Sequence, residues 1–181
     1  MESQDRLITK PNIYITIGLI GTGKTTFANK IAEAVPTLIV SKDAIRQMLF
    51  GRYRFDQTVE PMINKITDNI ITNCITEIML GIPPYISLVI DEANLTKKDR
   101  LSYLHLIRQS EEEYLKQNFF DITYVYFLDE AGNGINRRIQ DDRGLSEEHW
   151  WSVLNWQMRK IEVPTHQEAL EYGIDHMIMV K

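Results

Sequence analysis

Short runs of β-branched and aliphatic residues alternate along the chain with longer stretches whose apolar positions recur every three or four residues. That alternation is the pattern of buried strands between amphipathic helices. The first strand is expected at Asn12 to Ile17, where Ile13-Tyr14-Ile15-Thr16-Ile17 is the β-branched run. Phe27, Ile31 and Ala34 then fall at helical spacing, and Pro36 stops that helix. Thr37-Leu38-Ile39-Val40 reads as a short second strand, and Ser41 caps a helix with its inner face at Ile45, Met48 and Leu49. A long helix is expected from Thr58 to Leu80, with Val59, Met62, Ile63, Ile66, Ile70, Cys74 and Ile78 on its apolar side. Gly81 with Pro83-Pro84 ends it.

The second half repeats the alternation. Tyr85 to Asp91 reads as a strand, and Thr96 to Lys116 as a helix with Leu101, Leu104 and Leu115 inward. On that helix Glu111-Glu112-Glu113 reads as a solvated face. Asp121 to Leu128 is the fourth strand. Leu145 opens a further helix, capped by Ser146 and packed through Trp150, Trp151, Leu154 and Met158. Thr165 and Glu168 make a second capping pattern, and Ile174 to Val180 is the last strand. Five strands alternating with helices predict an α/β fold, a five-stranded parallel sheet with helices on both faces. Residues 1–11 read as a lead-in and residues 12–181 as one domain.

One loop gives this scaffold its chemistry. Gly18 to Thr26 reads G-L-I-G-T-G-K-T-T, between the first strand and the first helix, and fits the phosphate-loop pattern. Glycines let backbone N–H groups turn around an anion, and the helix N-terminus adds its positive end. The expected nucleotide contacts are Gly18, Gly21, Thr22, Gly23, Lys24, Thr25 and Thr26, with Lys24 reaching the β- and γ-phosphates and the Thr25 hydroxyl on Mg²⁺. The fold is therefore expected to be that of the P-loop NTPases, with ATP and Mg²⁺ as its ligands. Asp91, ending an apolar strand, is the expected metal-side acid. Glu92 beside it also fits the ATPase pattern in which a glutamate activates water.

Three further places carry candidate chemistry. Asp43 lies just past the second strand, where ligands of parallel sheets bind, although a carboxylate there also suits the helix dipole. Arg52 and Arg54 alternate with Tyr53 and Phe55, a pattern that suits phosphates and stacked bases, or an ordinary surface loop. Asp129 to Gly144 carries Arg137, Arg138 and Arg143 among glycines just after a strand and reads as an arginine-bearing lid, with Asp141 and Asp142 as its resting partners.

Charge and cysteine content narrow the classes. A net charge of −5 argues against sequence-blind coating of nucleic acid and leaves room for a local basic channel. Cys74 is the only cysteine, so no disulfide forms within the chain, and a cytoplasmic setting is expected. No apolar run is long enough to span a bilayer, so no membrane partner is expected.

Four segments in order resemble the P-loop kinases of the polynucleotide 5′-hydroxyl kinase type and, more distantly, zeta-toxin-like kinases. They are Gly18–Thr25; Ser41-Lys42-Asp43-Ala44-Ile45-Arg46; Asp91-Glu92-Ala93-Asn94-Leu95 with Arg100; and Arg137-Arg138 to Arg143-Gly144. The resemblance spans about residues 12–180. It implies Asp43 as the general base on the acceptor hydroxyl and Arg46 as an arginine holding a phosphate near the reaction centre. It implies Arg138 and Arg143 as the lid pair, with Arg137 as the alternative first member, because the family often spaces that pair by four and here the spacing is five. Lys42, Arg52, Arg54 and Asn94 complete the expected substrate-binding set. The acceptor implied is the 5′-hydroxyl of a DNA or RNA end. A small-molecule, nucleoside or sugar-nucleotide kinase remains the nearest alternative, and an ATPase or switch subunit acting through a partner is the alternative of another class.

Overall fold

The computed structural model describes residues 10–52, 55–81, 85–129, 132–141 and 144–181. Five parallel strands, β1 (Asn12–Gly18), β2 (Thr37–Val40), β3 (Ser87–Ile90), β4 (Asp121–Phe127) and β5 (His176–Val180), pair in the order β2-β3-β1-β4-β5. Helices α1 (Lys24–Ala34), α2 (Lys42–Phe50), α3 (Glu60–Met79), α4 (Lys97–Glu113), α5 (Gly134–Gln140), α6 (Glu147–Lys160) and α7 (His166–Glu171) connect them. The fold is the expected P-loop NTPase type. Among the described residues no helix is long and apolar enough to cross a membrane.

The sheet order places β1 at the centre, so both of its faces are covered. Ile13, Ile15 and Ile17 are fully buried against Ile63, Ile71 and Ile75 of α3 and Leu104 and Ile107 of α4. On the opposite face Phe27 of α1 stands edge-on between Tyr14 and Phe127, with ring centroids 5.8 and 5.7 Å away. After β2 the chain adds β3 on one side of β1, and after β3 it crosses to β4 on the other. The strand order therefore reverses between β3 and β1, and the crevice at their C-terminal ends is where a ligand fits such a sheet.

Several expected faces differ, each for a physical reason. On α2 Ile45 is buried, but Met48 and Leu49 are exposed, and the second buried side chain is Arg46. Ion pairs with Asp43 and Glu60 make that burial tolerable. On α3 the buried line runs Ile63, Thr67, Ile71, Ile75 and Ile78, while Met62 faces outward. Helix α4 ends at Glu113, leaving Leu115 91% exposed. Glu111 is not solvated. It is 2% exposed and accepts from the Phe119 and Phe120 N–H groups and from Arg108, which ties α4 to β4. On α6 Trp150 and Leu154 are buried as expected, whereas Trp151 and Met158 are exposed and Gln157 is buried. Among the expected features, the Pro83-Pro84 stop, Tyr53, Arg54, Asp142, Arg143 and most of the lead-in lie outside the described residues.

Candidate active site

Two strand ends meet at the crevice and are tied by backbone and side-chain bonds. The Gly18 N–H donates to the Ala93 carbonyl at 3.0 Å. Thr16 on β1, fully buried, donates its hydroxyl to the Glu92 carbonyl at 2.8 Å and accepts the Glu92 N–H at 3.1 Å. Asn94 donates its side-chain amide to the Thr16 carbonyl at 2.7 Å. It is 5% exposed with φ of 46°. Asn94, expected at the substrate, is thus committed to the junction that aligns the phosphate loop with the end of β3. Arg100 braces the same turn. Fully buried, it forms a two-bond fork with Glu168 of α7 at 2.7 Å each and donates to the Asn94 and Glu162 carbonyls.

The loop wraps toward its own lysine. Lys24 Nζ donates to the carbonyls of Gly18 and Leu19 at 2.9 and 2.5 Å, and the Thr22 hydroxyl donates to the Leu19 carbonyl at 2.9 Å. Gly23 has φ of 99°, a left-handed conformation that suits glycine, and a Cβ there would meet nothing within 4 Å. Helix α1 starts without a side-chain cap and with no acid in its first turn. Its first N–H groups are thus left for an anion. Those observations fit a bound phosphate chain.

Electrostatics match that arrangement. Burial lowers the Lys24 ammonium to about 8, against the opposing pull of Asp91. The Thr25 hydroxyl donates to Asp91 Oδ2 at 2.8 Å. Burial raises the Asp91 carboxyl above its usual range, while the Thr25 hydrogen bond and Lys24 draw it back. Adjacent hydroxyl and carboxylate oxygens suit Mg²⁺, which takes its other ligands from phosphate and water.

Across the crevice, α2 presents the candidate base. Asp43 lies in the first turn and accepts from Arg46 Nη1 at 2.7 Å. Arg46 Nε and Nη2 donate to the two carboxylate oxygens of Glu60 at 3.0 and 2.7 Å. Burial alone would weaken the Arg46 charge, but its bonds to Glu60 and the charge of Asp43 more than offset it and hold the guanidinium firmly protonated. Asp43 also acts electrostatically on Lys24 and Asp91, which places all three in one field. Glu92 accepts the Lys42 N–H and so pins the start of α2. Burial raises its carboxyl to about 7, with Lys42 opposing.

The remaining expected residues divide. Lys42 Nζ sits 5.8 Å from the Tyr103 ring centroid, beside Glu92. Arg52 is exposed, and Phe55 is exposed with its ring 5.6 Å from the Arg46 guanidinium carbon. Thr26 is exposed at the start of α1. On α5 Arg137 faces outward, whereas Arg138 lies over the Trp150 ring at 5.3 Å, bonds Asp141 at 3.2 Å, and its charge reaches Lys24 and Asp91. The structure therefore brings Arg138, not Arg137, toward the phosphate loop.

Three contributors escaped the sequence reading. Glu60 orients Arg46, Asp129 accepts the Asn133 and Gly134 N–H groups at the start of α5, and Gln157 accepts the Ile20 N–H at 2.7 Å. Only Gln157 left a signal, as a polar residue three positions after Leu154 on the inward side of α6.

Sheet order, phosphate loop and the acids after β2 and β3 define a P-loop nucleotide-binding protein with a kinase-type fold. Residues 13–117 match the AAA domain family, and the chain belongs to that family. No curated protein matches it. Among solved structures it is similar to a fungal RNA kinase, with TM-score 0.67 and 19% identity over 96% of this chain and 75% of that one. It is similar to a chain of the Pnkp1/Rnl/Hen1 RNA repair complex, with TM-score 0.57 and 19% identity over 89% of this chain and 49% of that one. The chain thus spans about half the length of that repair protein. A gluconokinase from Sinorhizobium meliloti 1021 has TM-score 0.52 and 17% identity over 94% of this chain and 82% of that one. At these identities the likenesses carry the fold alone.

Proposed function

We propose that the protein transfers the γ-phosphoryl group of ATP to a hydroxyl, with the 5′-hydroxyl of an RNA or DNA end as the favoured acceptor. The observation that carries the proposal is the Asp43–Arg46 pair at the start of α2, with the Asp43 charge close enough to act on Lys24 of the phosphate loop. A switch or ATPase needs the loop and its metal-side acid. A carboxylate across the crevice, fixed by a buried arginine, is what an acceptor hydroxyl needs.

In this reading the loop and the α1 N-terminus hold the triphosphate, and Lys24 neutralises its β- and γ-oxygens. Thr25 and Asp91 would hold Mg²⁺, which screens phosphate charge when bound. Asp43 orients the acceptor hydroxyl for in-line attack and takes its proton, and Arg46 keeps the carboxylate aimed. Arg138, or Arg137 in its place, would act with Arg143 as the lid pair that covers the transferring group. Glu92 is held against the Lys42 N–H, which favours a bracing role for it over water activation.

The similarity to proteins named as an RNA kinase and as part of an RNA repair complex supports a polynucleotide acceptor. Phe55, its ring 5.6 Å from the Arg46 guanidinium carbon, and the exposed Arg52 suit a strand end. The net charge of −5 favours the second reading, a small-molecule acceptor. A panel settles between them. Specificity constants would be measured for 5′-hydroxyl RNA, 5′-hydroxyl DNA, nucleosides and sugars with ATP and Mg²⁺. The strand ends should lead, and a nucleoside or sugar ahead of both would overturn the polynucleotide reading.

A further inference from the structure

We propose that Gln157 is a positioning residue for the phosphate loop, holding it in its nucleotide-accepting shape through the Ile20 amide. The inference rests on the nucleotide-binding half of the reading above and not on the identity of the acceptor.

Gln157 is 7% exposed and sits where the periodicity of α6 calls for an apolar side chain. Its Oε1 accepts the Ile20 N–H at 2.7 Å, across 137 residues of chain. Ile20 is the third residue of the loop. Its side chain is 8% exposed in a small core with Ile135 of α5 and Trp150 and Leu154 of α6, separate from the main core under the sheet. A third contact closes the grip. The α5 backbone approaches the loop so closely that a Cβ on Gly21 would lie 1.8 Å from the Gly134 carbonyl oxygen. Residues 20 and 21 are thus held from outside by α5 and α6, while Lys24 ties the inside of the loop to Gly18 and Leu19.

The small core and the backbone contact are apolar or non-directional. They set where the loop lies but not which way the Ile20 peptide faces. The Leu19–Ile20 peptide that carries this N–H is held at both ends: inside the loop its carbonyl accepts from Lys24 Nζ and the Thr22 hydroxyl, and outside it the N–H donates to Gln157, the hold that stays in place when Lys24 turns to a phosphate. Without the acceptor a buried N–H is stranded, and the loop relieves it by rotating toward water. Apparent nucleotide affinity then falls in proportion to the fraction of loops still in the competent shape.

The test compares Gln157→Leu, which keeps the volume and removes the acceptor, with Leu154→Ala, which weakens the same small core and leaves the acceptor in place. Thermal stability, amide hydrogen exchange at Ile20 and the dissociation constant for a non-hydrolysable ATP analogue would be measured on the full chain. Gln157→Leu should expose the Ile20 amide to exchange and weaken analogue binding about tenfold. Leu154→Ala should lower stability yet keep the Ile20 amide protected and bind the analogue within about twofold of wild type. Undiminished binding by Gln157→Leu would overturn the proposal, as would equal weakening in Leu154→Ala. Absence of analogue binding in the wild type overturns it together with the nucleotide reading. A protein that binds ATP as described but phosphorylates nothing would end the kinase reading and leave Gln157 in place.

Discussion

Asp43 derives its usefulness from a neighbour one helical turn away. A carboxylate in the first turn of a helix is common and by itself only suits the dipole. Arg46 changes that, because its guanidinium is buried, gripped by Glu60, and has one nitrogen left to aim at Asp43. Asp43→Asn keeps the shape and removes the proposed base. It should lower kcat by about 10²–10⁴-fold and leave ATP binding nearly unchanged, measured as separate kcat and KM values. Lys24 carries a pH signature. Its ammonium, lowered by burial to about 8, is charged below that value and neutral above it in the free protein. Nucleotide affinity should therefore fall as pH rises through about 8. The unfolded chain binds the proton more tightly, so the stability of the free protein should rise over the window from about 8 to the usual lysine range. Calorimetric titrations and melting curves across that window check both signs. The sequence made Lys24, Thr25 and Asp91 legible, since local spacing and strand ends fix them. It could not show that Asn94 is spent on the Thr16 carbonyl, because that bond joins residues 78 apart.

At the level of elements, the site is held by struts rather than by its own residues. Arg100 and Glu168 join α4 to α7 and brace the turn after β3. Removing one partner strands a buried charge. Glu168→Ala should destabilise the fold by about 3–5 kcal/mol, read from denaturant unfolding. On the other flank, α5 lies against the loop with Gly134. A Cβ there would meet the Ile20 carbonyl oxygen at 2.7 Å and Asp129 at 2.8 Å. Gly134→Ala should cost about 1–3 kcal/mol and lower the melting temperature by several degrees, since backbone rather than a flexible tip must yield. The helices themselves could be read from periodicity, but their faces only in part. Met48 and Leu49 fit the inner side of α2 by hydropathy, and Arg46 took it because Glu60 waits on the next helix. Glu111 read as solvated because its partners, two N–H groups at the entry to β4, make no mark in a charge pattern. Alternating strands and helices fixed the class of fold, whereas buried charge and long-range hydrogen bonds are tertiary facts.

The whole molecule gathers these parts at one crevice. The reversal of strand order between β3 and β1 brings the phosphate loop, Asp91 and the start of α2 together, and the AAA domain family membership covers that half of the chain. A net charge of −5 argues against a general basic surface, so in the proposed reading a strand end is held locally, with Lys42 and Arg52 as the candidate contacts. Affinity for a 5′-hydroxyl oligonucleotide should fall with salt along a shallow slope, about one to three phosphate contacts, while a small-molecule acceptor would show almost none. The most direct test of the central claim uses ATP labelled on its γ-phosphate, Mg²⁺ and a 5′-hydroxyl oligonucleotide, with wild type and Asp43→Asn side by side. Label should pass to the strand end with the wild type, pass only weakly with the variant, and not pass to an oligonucleotide already phosphorylated at its 5′ end. Label released as free phosphate at the same rate with and without acceptor, or equal transfer by Asp43→Asn, would contradict the account.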